Sequence, residues 1–164
     1  MARTRNPIHS TSPPSARPAF SLLELIVTLV ILAAVAAIAA PRYANSLTRY
    51  RADLAARRVV ADLALARAKA QEASAGVEVE FELDDNEVTI SGVEHLDRTS
   101  QDYTTDLAAE PYWSQLVSAN LGGDAKVTFD GYGVPDSGGT IGIRSGGEQR
   151  TIVLDADSGE ATVQ

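Results

Sequence analysis

Residues 17–41 run RPAFSLLELIVTLVILAAVAAIAAP, and a single charged residue, Glu24, lies between Phe20 and Ala40. Twenty-one residues rising about 1.5 Å each make a helix of about 31 Å, close to the thickness of a bilayer core. The stretch 25–40 is apolar all round, so it offers no polar face to water. A core helix of a soluble protein would show such a face. Two readings are left: a membrane span, or an exported leader cut after its apolar region. Ala37, Ala39 and Ala40 supply small residues for the second, but the run is long for a leader core and Pro41 follows at once.

Charge divides the chain into four parts, read as domains 1–19, 20–40, 41–75 and 76–164. Residues 1–19 hold Arg3, Arg5 and Arg17 and no acid, with four prolines, a composition that predicts no regular structure. Residues 41–75 carry seven bases against three acids, and residues 76–164 carry four bases against eighteen acids. A basic leader, an apolar rod, a basic stem and an acidic head result. The whole chain of 164 residues has a net charge of −8, which argues against nucleic acid as a partner, the head most of all. Cysteine is absent and histidine occurs only at His9 and His95, so no thiolate or histidine metal cage is expected.

After Pro41 the composition favours helix again, rich in alanine, leucine and arginine. Tyr43, Leu47, Tyr50 and Leu54 fall at spacings of 4, 3 and 4; after a phase slip, Val59 or Val60, Leu63, Ala66 and Ala70 continue a stripe. The expectation is one long helix, kinked or opened at Pro41, amphipathic in its outer half and stopped near Ala75 by Gly76. The next segment alternates strictly: Val77, Val79, Phe81 and Leu83 face inward, while Glu78, Glu80 and Glu82 face water. A turn at 84–87 returns the chain through 88–90 as a hairpin. Further strands are expected at 126–129, 140–144 and 149–154, with a tight turn at Ser145-Gly146-Gly147, and a final edge strand at 161–163. Residues 92–123 stay ambiguous between a short helix within 106–121 and an excursion anchored by Tyr112 and Trp113. The fold class is α+β: a long N-terminal helix whose amphipathic half packs on an antiparallel sheet.

Few residues advertise chemistry. Asp155-Ala156-Asp157-Ser158-Gly159-Glu160 starts like a calcium loop but lacks glycine at its sixth position, so an acidic turn is expected. No glycine-rich loop follows a strand into a helix, His95 has no nucleophile motif beside it, and no cofactor or catalytic residue is expected. Glu24 is different. A carboxylate one turn inside an apolar helix costs a few kcal/mol unless it is paired or reaches the membrane surface, where the helix dipole favours it.

The junction Arg17-Pro18-Ala19-Phe20-Ser21-Leu22-Leu23-Glu24 resembles the leader signal of type IV prepilins and type II secretion pseudopilins. That pattern is a basic leader, a small residue, then Phe-Ser/Thr-Leu-x-Glu opening a long apolar helix. Ala19 stands where the family usually has glycine, Glu24 is the fifth residue counted from Phe20, and Pro41 the twenty-second. Farther along, residues 60–70 (VADLALARAKA) and Val127-Thr128-Phe129-Asp130-Gly131-Tyr132-Gly133 are similar to stretches of GspH/FimT-type pseudopilins. The resemblance implies a pilin-like fold and a filament subunit. Prepilin peptidase would cut between Ala19 and Phe20, and the new Phe20 amine would be N-methylated. Glu24 would set register during assembly, where a neighbouring subunit's Phe20 ammonium could neutralise it, with Pro41 in its family place. The resemblance further implies membrane lipid, sibling pilin subunits and an inner-membrane assembly platform as partners, and an extracytoplasmic head on a single-pass anchor in the inner membrane. Counting arginines alone, three before the span and five soon after, favours the opposite orientation. The competing functions are a minor pilin of a DNA-uptake or adhesion pilus, a binding module that would want a basic head, and a membrane-anchored enzyme, which would want a cleft of paired titratable groups.

Overall fold

The computed structural model describes residues 20–95 and 98–164, with the backbone alone at 95 and 98–100. The leader expected at 1–19, including His9 and Ala19, lies outside the described residues. The chain divides into two compact units between Ala40 and Pro41.

Helix α1 is assigned over Leu22–Ala73 and contains Pro41. Its end differs from the expected stop at Gly76. Ser74 takes the left-handed conformation, φ 51°. The Ser74 N–H donates to the Gln71 carbonyl at 3.3 Å, and the Ala75 N–H to the Ala70 carbonyl at 3.2 Å. This pair of bonds is the usual helix-closing arrangement, built on a serine where glycine is the common choice. The glycine that matters at this end is Gly131, because a Cβ there would lie 2.8 Å from the Ser74 carbonyl carbon. Beside it the Gln71 amide donates to the Tyr132 carbonyl at 2.9 Å. The loop 130–134 is thereby seated on the helix terminus.

Eight strands follow: β1 (Val77–Glu82), β2 (Glu87–His95), β3 (Arg98–Asp106), β4 (Gln115–Leu121), β5 (Lys126–Phe129), β6 (Gly139–Ser145), β7 (Glu148–Leu154) and β8 (Ala161–Val163). They form two four-stranded sheets where the sequence suggested one, ordered β3-β2-β1-β5 and β4-β6-β7-β8, antiparallel throughout. The ambiguous segment 92–123 holds strands at both ends and no helix among its described residues. Its centre is a turn region organised by the Asp106 carboxylate, which accepts from the N–H groups of Ala108 and Ala109 at 2.8 and 3.1 Å. Tyr112 packs against the core from this loop, whereas Trp113 is 55% exposed with the Arg51 guanidinium 5.9 Å over its ring. Polar threonines and serines dominate 98–106, so pairing with β2 supplies a strand that hydrophobic alternation did not signal.

Val77, Val79 and Phe81 are buried as the alternation predicts, but Leu83 lies past the end of β1 and is exposed. The intervening glutamates are half-covered. Lys126, opposite Glu80 on β5, reaches its carboxylate at 3.0 Å and that of Glu78 at 3.6 Å, and the bond to Glu80 raises the lysine pKa. The core joins both sheets to α1 through Val59, Leu63, Phe81, Phe129, Ile143 and Ile152.

Candidate functional site

At its N-terminus α1 is capped by Ser21. The Ser21 hydroxyl accepts from the Leu23 N–H at 3.2 Å, while its carbonyl accepts from the Leu25 N–H at 3.1 Å. Glu24 therefore sits in the first turn, three residues after the cap, where the positive end of the helix dipole stabilises a carboxylate. Among the described residues no cation pairs with it. Phe20 precedes the cap and is 79% exposed. Every large apolar side chain from Phe20 to Ile38 is exposed in this unit. Thr28 returns its hydroxyl to the Leu25 carbonyl at 2.8 Å, so the segment asks for no polar partner apart from Glu24. It is the one helix among the described residues long and apolar enough to cross a membrane. Pro41 lacks an N–H and leaves the Ala37 carbonyl without its usual helical donor.

In the second unit, residues 41–73 of α1 present two faces. The buried face is Ala52, Ala55, Ala56, Val59, Leu63, Ala66 and Ala70, narrow side chains that let the helix lie close on the sheets. The other is the run Tyr43, Leu47, Tyr50 and Leu54, and it stays out of the core where packing on the head was expected: Tyr43 is 73% and Tyr50 62% exposed, while Leu47 and Leu54 are half-buried. The apparent phase slip is a change of face. Each member of this run precedes a buried residue by nine positions (43 and 52, 47 and 56, 50 and 59, 54 and 63). Nine residues at about 100° each bring the chain to the opposite side of a helix. That nine-residue offset was the signal available in the sequence. The stripe continues on the outer side as Ala61, Ala64 and Ala68, all exposed.

Charged side chains fasten the stem to its own head. Arg49 Nε lies 2.9 Å from a Glu148 carboxylate oxygen, and Arg150 pairs with Asp53. Gly146, in the turn between β6 and β7, meets Thr48 so closely that a Cβ would stand 2.9 Å from its methyl. One polar residue on the buried face went unrecognised from sequence. Asp62 is 2% exposed, with Arg58 Nε at 3.2 Å from Oδ1 and the Tyr103 hydroxyl donating to the same oxygen at 3.3 Å. Oδ2 and the nearby Thr105 hydroxyl make no hydrogen bond of good geometry. Burial pushes the Asp62 pKa up, against the opposing pull of Arg58 and Thr105. The acidic turn at 155–160 is organised from within. Asp155 Oδ1 accepts from the Ser158 N–H at 2.7 Å, the Ser158 hydroxyl at 2.8 Å and the Asp157 N–H at 3.1 Å, and these bonds hold its carboxyl below the usual range.

The geometry thus consists of an apolar helix with no partner in its own unit and a stem sewn to a two-sheet head. Known structures share this fold. The minor pilin FimU of Pseudomonas aeruginosa superposes with a TM-score of 0.50 at 18% identity, covering 71% of this chain and 90% of that one. The minor pseudopilin EpsH from the type 2 secretion system of Vibrio cholerae gives 0.51 at 17% identity, covering 70% and 96%. A search of curated protein sequences finds no relative. Residues 15–40 match the prokaryotic N-terminal methylation motif, spanning the capped start of α1, Glu24 and the apolar run. Residues 55–158, more than half of the chain and nearly all of the stem and head just described, match the type II transport protein GspH, and the chain belongs to that family.

Proposed function

We propose that this chain is a structural subunit of a pseudopilus or pilus-like filament, used for assembly and not for catalysis. A prepilin peptidase cuts between Ala19 and Phe20, the Phe20 amine is methylated, and residues 20–40 hold the subunit in the inner membrane with its head on the extracytoplasmic side. The single observation that carries this reading is the wholly exposed apolar helix at 20–38, inside a matched methylation motif and ahead of a unit that completes its own core. Such a surface is stable only in lipid or against other apolar helices. One environment suits the membrane-held subunit and the other the assembled filament.

Glu24 has a defined part in that exchange. Cleavage frees an ammonium at Phe20, and a neighbour's ammonium beside Glu24 removes the cost of a carboxylate in an apolar setting. Co-expression with a prepilin peptidase and mass analysis of the N-terminus tests the processing: N-methyl-Phe20 is expected, and a cut after Ala39 or Ala40 would make the chain an ordinary exported protein. Glu24→Gln is expected to insert and be processed normally yet to lower the amount of chain recovered in filaments by about tenfold, the effect of losing roughly 1.4 kcal/mol per contact. Filament recovery equal to the wild type would remove the pairing from the mechanism.

A further inference from the structure

The two sheets do not end alike. The outer side of β5 is covered by the following loop: Phe129 bridges to Pro135, the Thr128 N–H donates to the Asp136 carboxylate at 3.1 Å, and the Asp136 N–H returns to the Thr128 carbonyl at 2.9 Å. Strand β4 is interrupted by a register shift between Leu116 and Ser118. Such cover and irregularity are how proteins blunt a sheet edge. β8 has neither. Its sequence, Ala161-Thr162-Val163, carries no charge, proline or bulge, and it pairs with β7 alone. The Asp155 N–H to Glu160 carbonyl bond at 3.0 Å and the Gln164 N–H to Thr151 carbonyl bond at 2.8 Å fix which residues face β7. Residues 160, 162 and 164 do, so by antiparallel alternation the N–H and C=O groups of Ala161 and Val163 point to the free side.

This strand borders a groove of about 400 Å³ between the C-terminal part of the stem and the start of β8. Ala64 and Ala68 from the helix and Gly159 and Ala161 from the head line it, small residues that leave room for a backbone. Arg67 lines it as well, and its Nε is buried with no hydrogen-bond partner among the described residues. No carboxylate among the described residues pairs with Arg67, so the cation can form a charge-assisted pair with a carboxylate arriving in the groove. Glu160 stands at the exposed rim, free to remain in water.

We infer that the groove between residues 60–71 and β8 is a docking site for an extended, carboxylate-bearing segment of a neighbouring filament subunit, which adds to β8 as a fifth strand and places its carboxylate on Arg67. Backbone pairing gives the affinity and Arg67 the choice of an acidic segment. The occupant is an acidic strand because the groove's unsatisfied groups are a strand edge and a cation. A helix would satisfy only the cation, and lipid would not satisfy the edge.

The inference rests on the filament reading, and one experiment separates the two. A photo-cross-linking amino acid at Ala68, on the full chain expressed with the prepilin peptidase and its sibling subunits, is expected to join an acidic extended segment of one of those subunits. Val163→Pro removes an outward N–H and leaves the β7 ladder intact, and Arg67→Met removes the cation while keeping most of the length of the side chain. Each should reduce that adduct about tenfold while the head stays folded and processing is unchanged. A chain that is processed and incorporated into filaments but forms no adduct, or an adduct that Val163→Pro and Arg67→Met leave at full yield, overturns the docking site and leaves the filament reading standing. Labelling of lipid or of a helix does the same. A chain that is never processed or incorporated overturns both.

Discussion

Residues 20–40 and 41–73 are assigned almost entirely to one helix, yet they solve opposite problems. The first is apolar on nearly every side and has each of its large apolar side chains exposed. The second is a ribbon of alanine with Val59 and Leu63, buried on one side against two sheets that the same chain provides. Hydrophobicity alone ranks the first as the better core element, but only the second lies in a core. The difference is where the partner is. A stripe of small side chains at helical spacing can be completed by the chain's own strands, whereas an all-round apolar surface requires surroundings on every side, which a head of this size cannot supply.

The comparison can be broken most decisively by truncating one leucine in each half. Leu63 is 1% exposed and Leu29 is 57% exposed. Leu63→Ala should cost about 2–5 kcal/mol of head stability, while Leu29→Ala should leave the head's unfolding midpoint where it was. Denaturant titration of the detergent-held full chain, followed by Trp113 fluorescence, measures both. Equal effects would mean that the two halves are one cooperative unit. A smaller effect concerns the boundary where the stem ends. Ser74 holds its left-handed conformation at φ 51°. Ser74→Gly relieves that strain and should stabilise the head by about 1 kcal/mol, read as a rise in melting temperature. A loss of stability there would show that the Ser74 side chain does something the helix-closing bonds do not require.

The smallest effect sharpens the description of the buried face. The Asp62 pKa is raised on folding, so between its unfolded and folded values the native state holds the extra proton. Stability contributed by that proton is present below the unfolded value, at about pH 4, and is lost as pH rises through the folded one. Asp62→Asn removes this loss. Its melting temperature should match the wild type in mild acid and exceed it at neutral pH, with the gap opening through that window. A variant less stable than wild type at neutral pH would show that the pairing with Arg58 outweighs the cost of burial.

Much of this is legible in the chain alone. The apolar run and its lone acid, the alternation at 77–81, the hairpin turn at Gly146-Gly147 and the edge strand at 161–163 all follow from side-chain period and turn chemistry, which are local. The parts that misled are those where local signals point to two places. Tyr43, Leu47, Tyr50 and Leu54 have the spacing of a packing stripe, but spacing does not say which face the head covers, and the head took the face nine residues out of phase. The polar strand 98–106 and the split into two sheets were hidden for a related reason, since strand pairing is set by neighbours far away in sequence.

Composition and periodicity by themselves determined that this protein has a membrane-length apolar helix with one acid near its start, followed by a basic stem and an acidic β-rich head. Those are properties of segments, and each segment carries its own evidence. Which face of the stem is buried, that Ser74 and not Gly76 closes the helix, that Asp62 is buried beside Arg58 and Tyr103, and that Arg67 and Ala161 at the start of β8 line one groove were decided by tertiary structure. The physical reason is that burial and pairing depend on surfaces brought together from distant parts of the chain, and no single stretch of sequence carries both sides of such a contact.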